Sequence, residues 1–364
     1  MMGKALFHES AVPAPVASRK KQHSLVDVLK QRYRLYRATL SARFSSVYYL
    51  FASHAFDREM RAVAQGRIRY FHEIATSGGN QALLRRNVHR LEKGLIMRPF
   101  RTPFAKDYIL ETVQAFAYLA TRQNYDEADD VRWGADVLRS YFDAMGAQEG
   151  VIARAHAIFD KALKEATFEL QVPAGHVPYP RGDAPMPLEY EPFSALCQRR
   201  RSVRWYRQQA VPRDLVDKAL EAALQSPSAC NRQSFSFRFF DDPKMVRAIA
   251  NIPGGTKGYA DTLPGIAVVI GKLRAYPLER DRHIIYIDGS LAAMSFMLAL
   301  ETLGLSSCAI NWPDMAENDD AIQKLLGLEP DERVIMLIGF GYADPDGMIP
   351  YSAKKPVGVI RQWN

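Results

Sequence analysis

The stretch "CQRRRSVRWY" (197–206) sets Arg199, Arg200 and Arg201 in a row, follows them with Ser202, and adds Arg204 before two aromatics. Planar guanidinium forks grip phosphate oxygens two at a time, and a serine hydroxyl between them adds a short neutral donor. The pattern therefore reads as a cradle for a small dianion, against the plainer reading of a solvated basic turn. Three other stretches can bind a ligand. "SPSACNRQSF" (226–235) offers Ser, Asn and Gln side chains in a proline-containing turn, suited to a polar heterocycle or a polyol. "GLSSCAINW" (304–312) reads as a strand leaving a long apolar helix, with backbone amides free to face a ligand. "SAKKPV" (352–357) brings two lysines, Lys354 and Lys355, beside a proline.

Other chemistries find little support. Beyond residue 192 the chain has one histidine, His283 in "RDRHI", read as a surface residue, so no Ser-His-Asp set is expected. His89 and Glu92 share a helix face in "RRNVHRLEKGL" (85–95), but a metal needs more ligands than this pair supplies. They are read as an ion pair or an interhelix contact, and no metal is expected. Cys197, Cys230 and Cys308 lie far apart with no CxxC spacing and read as reduced packing thiols.

These residues need elements to position them. Residues 1–23 read as a mobile tail, and 24–170 as an all-helical unit. Its first helical pattern spans Ser24 to Glu73, with Leu25, Val28, Leu29, Tyr33, Tyr36 and Leu40 at three- and four-residue steps. Helical patterns follow over 81–94, 106–124, 127–145 and 150–169. Six prolines in the 22 positions 171–192 read as an extended linker. From 193 onward helices and strands alternate. Helices are expected over 212–225, 243–252, 286–305 and 319–328, and strands over 236–240, 265–273, 306–311 and 333–342. This is an α+β domain over 193–364.

Over about residues 194–364, "RRSVRWY", "SPSACNRQSFSF", "LETLGLSSCAIN" and "VIMLIGFGY" before "KKP" together resemble the nitroreductase family of flavin mononucleotide (FMN) enzymes. The resemblance implies a central mixed or antiparallel sheet flanked by helices, and a homodimer with shared flavin sites. It implies that Arg201, Ser202 and Arg204 hold the FMN phosphate and nearby ribityl oxygens, with Lys354 or Lys355 approaching the same phosphate. Arg199 and Arg200 are expected outside this cradle as solvated charges. By the same resemblance Pro227, Ser228, Ala229, Asn231 and Gln233 line the flavin ring from the partner subunit. Ala229 stands where many members carry a second serine. The segment Ala309, Ile310, Asn311 and Trp312 is expected to present backbone N–H groups near the reactive ring nitrogen. Asn311 and Trp312 are not typical of the nitro-reducing members, which leaves the substrate open. Lys257, in "IPGGTKGY", reads as part of a surface glycine turn.

The chemistry so implied is hydride delivery from NADH or NADPH to the flavin, then to a small-molecule acceptor, in ping-pong order. Alternatives are dehalogenation, dehydrogenation of a heterocycle, flavin remodelling, or a flavin-binding accessory role in polysaccharide biosynthesis. The last follows from "RRNVHRLEKGL", which resembles a segment upstream of the nitroreductase domain in a polysaccharide-associated subgroup.

The net charge of +8 is uneven. Residues 1–110 hold 20 Lys or Arg and 7 Asp or Glu, a balance of +13, which leaves −5 for the remainder. Such asymmetry suits an anionic partner, but no zinc-finger spacing or RNP-like strand accompanies it, so nucleic acid is not expected. No apolar run of about 18 residues is apparent and the N-terminus lacks a signal-peptide core. A cytoplasmic protein is expected.

Overall fold

The computed structural model describes residues 30, 33, 36, 40–77, 80–122, 127–170, 172–182 and 185–364. The tail at 1–23 and the helical positions Leu25, Val28 and Leu29 lie outside them. The helical pattern that sequence runs continuously to Glu73 is split. Helix α1 (Ala42–Phe51) is capped by the Ser41 side chain, and α2 (Asp57–Ser77) begins only after residues 52–56.

Helices α3 (Gln81–Leu95), α4 (Ile109–Ala120), α5 (Ala128–Met145) and α6 (Val151–Glu165) pack into a bundle of their own. Their apolar residues recur at helical spacing, so Leu84, Val88 and Leu91 of α3 meet Phe116, Leu138 and Phe159 in one dry core. Asn80 caps α3 by accepting the Leu83 N–H. Residues 172–182 and 185–189 hold no helix or strand, but helix α7 (Tyr190–Arg199) starts inside the expected linker and carries the chain to the arginine run.

The second core belongs to a sheet of β1 (Phe235–Phe240), β2 (Gly265–Lys272), β3 (Ser306–Asn311) and β4 (Glu332–Gly341) in the antiparallel order β1-β2-β4-β3. Every residue of β2 but the last is buried, as its continuous apolar run demands. Alternation then serves both faces. Ile266, Val268 and Ile270 meet Val246 and Ile249 of α9 (Pro243–Asn251). Ala267 and Val269 meet Ala292, Phe296 and Leu300 of α10 (Ile284–Thr302), beside Val216 and Ala219 of α8 (Arg213–Leu224). Helix α11 (Ala316–Leu326) leads into β4, and a single turn, α12 (Val357–Ile360), lies near the C-terminus.

Helix α10 corrects one expectation. With the turn before it, over 279–302, it is long and apolar enough to cross a membrane by composition alone. Here it is the central helix of the core, with Ala292, Phe296 and Leu300 buried. An uninterrupted-run count misses it because Asp288 and Glu301 punctuate the sequence.

Helix α2 joins the two cores. Its Ala62 and Val63 pack on Leu273, Ala275, Tyr276 and Ile285, whereas Ile74 packs against the helical bundle. A Cβ on Gly66 would sit 2.8 Å from Leu273, so only glycine permits this approach. Arg58 reinforces the contact with ion pairs to Asp314 at 2.7 Å and Asp319 at 3.2 Å, and Arg333 reaches the same two carboxylates.

Candidate active site

Helix α7 delivers the arginines, and the chain after it runs along the free edge of β3. Ser202 bridges Ser307 in parallel, with the Val203 N–H donating to the Ser307 carbonyl at 3.1 Å. The segment then crosses the end of β4, where the Arg207 N–H donates to Tyr342. Arg201 and Arg204 are half-buried; they donate to the carbonyls of Arg200 and Ser202, and Arg204 also interacts with the Tyr259 hydroxyl. Among the described residues no carboxylate oxygen lies within 4.0 Å of the guanidinium groups of Arg200, Arg201 or Arg204, although the buried Glu301 carboxylate feels the Arg200 charge. Three cations within five positions, with no direct ion pair among the described residues, make a candidate anion site.

Two neighbours strengthen that reading. The Arg200 Nε and the Ser307 Oγ are buried with no hydrogen-bond partner, an arrangement that is costly unless a ligand or water completes it. Arg200 is thus not the solvated charge expected from sequence. Arg199 differs again: it is exposed but pairs at 3.4 Å with Glu301, a buried carboxylate in the last turn of α10. Burial pushes the Glu301 carboxyl up and the Arg199 charge pulls it back. Behind the cluster, Arg204 lies 5.6 Å over the Tyr259 ring, and Cys308 is buried beside both. Burial raises the Cys308 thiol despite the Arg204 charge, which makes it a packing group and not a thiolate.

On β3 the Ser307 carbonyl faces the 202–207 segment, so by strand alternation the N–H groups of Ala309 and Asn311 face the same edge, away from β4. The side chains of Ala309 and Asn311 are exposed, but Ile310 turns into the core. By the same alternation its N–H points toward β4 rather than the open edge. Trp312 is tied by its Nε1 to Asp319 at 3.0 Å and packs on the same core. Lys257 is exposed in its glycine turn. Lys354 and Lys355 lie in an exposed C-terminal stretch with no ion pair, so within one chain the structure does not gather them to the arginines.

The 227–233 turn is built on backbone geometry. Cys230, Asn231 and Gln233 all have φ near +50°. For non-glycine residues this left-handed conformation costs on the order of 1–3 kcal/mol each and persists only where surroundings enforce it. Three contacts do so. The Ser228 Oγ accepts the Gln233 N–H at 3.2 Å. The Asp288 carboxylate accepts the Ala229 N–H at 3.1 Å. The Arg85 Nε, from the helical bundle, donates to the Asn231 carbonyl at 2.7 Å. Gln233 Nε2 also reaches the Asn231 amide oxygen at 3.3 Å, while Pro227 stays exposed. The two outside anchors, Asp288 and Arg85, were not singled out from sequence. Asp288 has a signal there, as a lone acid inside the apolar "YIDGSLAAM"; it also accepts from the Tyr276 hydroxyl at 3.3 Å.

His89 and Glu92 form the expected pair at 3.1 Å, and Glu92 also accepts from the Trp133 indole at 2.9 Å. Among the described residues no group of three or more His, Cys, Asp or Glu is placed to hold a metal.

Comparison with known proteins meets this geometry. Residues 197–256 and 256–342 match the nitroreductase family model. Mouse (Mus musculus) iodotyrosine deiodinase 1 is 22% identical over 246 residues, 55% of this chain and 85% of the relative. An Archaeoglobus fulgidus protein, named by inference an NADH dehydrogenase/NAD(P)H nitroreductase, is 27% identical over 148 residues, 39% of this chain and 80% of its own. An FMN-dependent nitroreductase structure from Clostridium difficile aligns at 26% identity with a TM-score of 0.38, over 43% of this chain and 91% of that one. The matched span contains the arginine cluster, the strained turn and all four strands. The similarity to the nitroreductase family thus spans residues 197–342 of this chain.

Proposed function

We propose that the protein passes reducing equivalents from NADH or NADPH to a small organic acceptor in two alternating half-reactions. The observation that carries the reading is the run of Arg200, Arg201 and Arg204, with no direct ion pair among the described residues, beside the buried and unpartnered Ser307 hydroxyl. It fits the phosphate end of FMN, whose bound ring supplies the hydride chemistry. Arg201, Arg204 and Ser202 hold the phosphate, with Arg200 adding charge from behind. Ala309 and Asn311 offer backbone N–H groups along the open strand edge, where a donor can polarise the ring. The 227–233 turn fixes the ring's other side.

The site is completed by a second copy of the chain. Ile287, Leu291 and Met294 form an exposed apolar stripe on α10, and the exposed C-terminal stretch from Met348 carries Tyr351, Ile360 and Trp363. Both are available to a partner subunit, which can bring its Lys354 and Lys355 within reach of the phosphate. A cytoplasmic location suits a nicotinamide donor. The basic N-terminal region, next to α1 with Phe44, Leu50 and Phe51 exposed, suits an anionic partner. The likeness of 85–95 to polysaccharide-associated members supports a place in that biosynthesis.

The deiodinase relatives support a second reading for the acceptor half-reaction, reductive removal of a halogen from an aromatic ring. One experiment addresses both. The flavin-loaded protein bleaches on anaerobic addition of NADH or NADPH, and a nitroaromatic then restores the yellow colour. Reoxidation by a halophenol with release of halide selects the second reading. A protein that takes up no flavin, or a flavin that neither nicotinamide reduces, overturns the proposal.

A further inference from the structure

Helix α3 reaches the strained turn from a part of the chain that the family match does not include. Arg85 is its point of contact. Its Nε donates to the Asn231 carbonyl at 2.7 Å, and its Nη1 pairs with Asp130 of α5. Asp130 is held in turn by the Gln81 amide at 2.6 Å, and the Arg85 guanidinium lies 5.4 Å over the Trp133 ring. Trp133 is fixed through its indole N–H to Glu92, which pairs with His89. Arg85 and Asp130 are 12% and 9% exposed, so the arginine is clamped by its own bundle and has one outward bond, to the turn. On the far side, Arg232 stacks 4.8 Å over Tyr276, whose hydroxyl bonds Ser234 at 2.7 Å. The left-handed residues 230, 231 and 233 thus lie between an anchor from the flavin domain and one from the helical bundle.

We propose that Arg85 is a positioning residue for the flavin ring: through it the N-terminal helical bundle imposes the shape of the 227–233 turn. This rests on the flavin reading above for its consequence, but not for the coupling itself. Arg85 touches no phosphate-binding residue. Its effect is therefore blind to the phosphate and follows the ring.

The test has two arms. In the flavin-free full-length protein, hydrogen exchange of the 228–234 amides is slow in the parent. It is expected to be about tenfold faster in Arg85→Ala, with β2 amides unchanged. Arg85→Lys keeps one donor but cannot span Asp130 and Asn231 together, and is expected to fall between the two. Arg132→Ala, which removes an exposed pair with Asp129 on the same bundle, serves as the control with no change. In the second arm, Arg85→Ala weakens FMN and riboflavin by the same factor, about tenfold, and alters the visible band shape of the bound flavin. Unchanged exchange at 228–234, or exchange that rises equally in β2, overturns the proposal. So does an FMN affinity equal to the parent's. If no form of the protein takes up flavin, the flavin reading fails, and the exchange arm alone still decides whether Arg85 holds the turn.

Discussion

The two ends of the candidate site are built on opposite principles. At the 200–204 end, charge has no direct partner: among the described residues three guanidinium groups form no ion pair, and the buried Arg200 Nε and Ser307 Oγ have no hydrogen-bond partner. At the 227–233 end the strained turn is pinned at Gln233 by Ser228, at Ala229 by Asp288 and at Asn231 by Arg85. A dianion needs concentrated positive charge and tolerates some play, because the Coulomb term falls slowly with distance. A planar ring needs position, which charge cannot give and a rigid backbone can. One end is made to attract and the other to align.

That contrast breaks most visibly at Arg204. Arg204→Ala removes a charge-assisted hydrogen bond worth about 1.5–3 kcal/mol, and FMN affinity is expected to fall roughly tenfold to 150-fold. Titration by quenching of flavin fluorescence measures it, and a loss under about threefold would return the cluster to a diffuse basic surface. Next in size stands Arg85→Ala, with its roughly tenfold loss for either flavin.

Arg199→Ala sharpens the comparison from outside the cradle. FMN affinity is expected to stay within about threefold, a fraction of a kcal/mol. Stability falls instead, by roughly 1–3 kcal/mol, because Glu301 keeps its buried charge and loses its partner. Thermal unfolding and flavin titration on one preparation separate the two. A variant as stable as the parent, or one that loses FMN as Arg204→Ala does, contradicts the assignment.

The smallest effect is in pH. Burial raises the folded values of Asp288 and Glu301 above their ordinary 3.8 and 4.5. Between those ordinary values and the raised ones the folded state binds more protons than the unfolded. The stability contribution is full below the ordinary values and is lost as pH rises through the raised ones. Asp288→Asn and Glu301→Gln together are expected to flatten the fall in stability from acid toward neutral pH. Parallel slopes for parent and double variant would place the titration elsewhere.

The same division governs what sequence revealed. The arginine run is local, with Ser202 set among its arginines, and β2 announces itself as an unbroken apolar run, so the place of each in the fold was legible. Ala309 and Asn311 follow from strand alternation once β3 is placed, and that alternation also removes Ile310 from the ligand side. The turn's anchors were not legible, because Arg85 lies 146 residues from Asn231 and Asp288 lies 59 from Ala229. Nothing in "LLRRNVHRLEKGL" tells which arginine points at another part of the fold. The docking of α2 on Leu273 was hidden for the same reason, although Gly66 marks it once the neighbour is known. Arg200 shows the limit of charge reading: three arginines in a row and a fourth nearby look alike until burial sorts them.

The division between an attracting end and an aligning end is tested most directly by one ratio, the dissociation constant for riboflavin over that for FMN, in the parent, Arg204→Ala and Arg85→Ala. The parent ratio is expected to be large, since riboflavin lacks the phosphate. In Arg204→Ala the ratio shrinks by the whole loss of FMN affinity, because riboflavin binds as before. In Arg85→Ala it keeps the parent's value while both constants rise. A ratio that shrinks in Arg85→Ala, or holds in Arg204→Ala, would contradict the account.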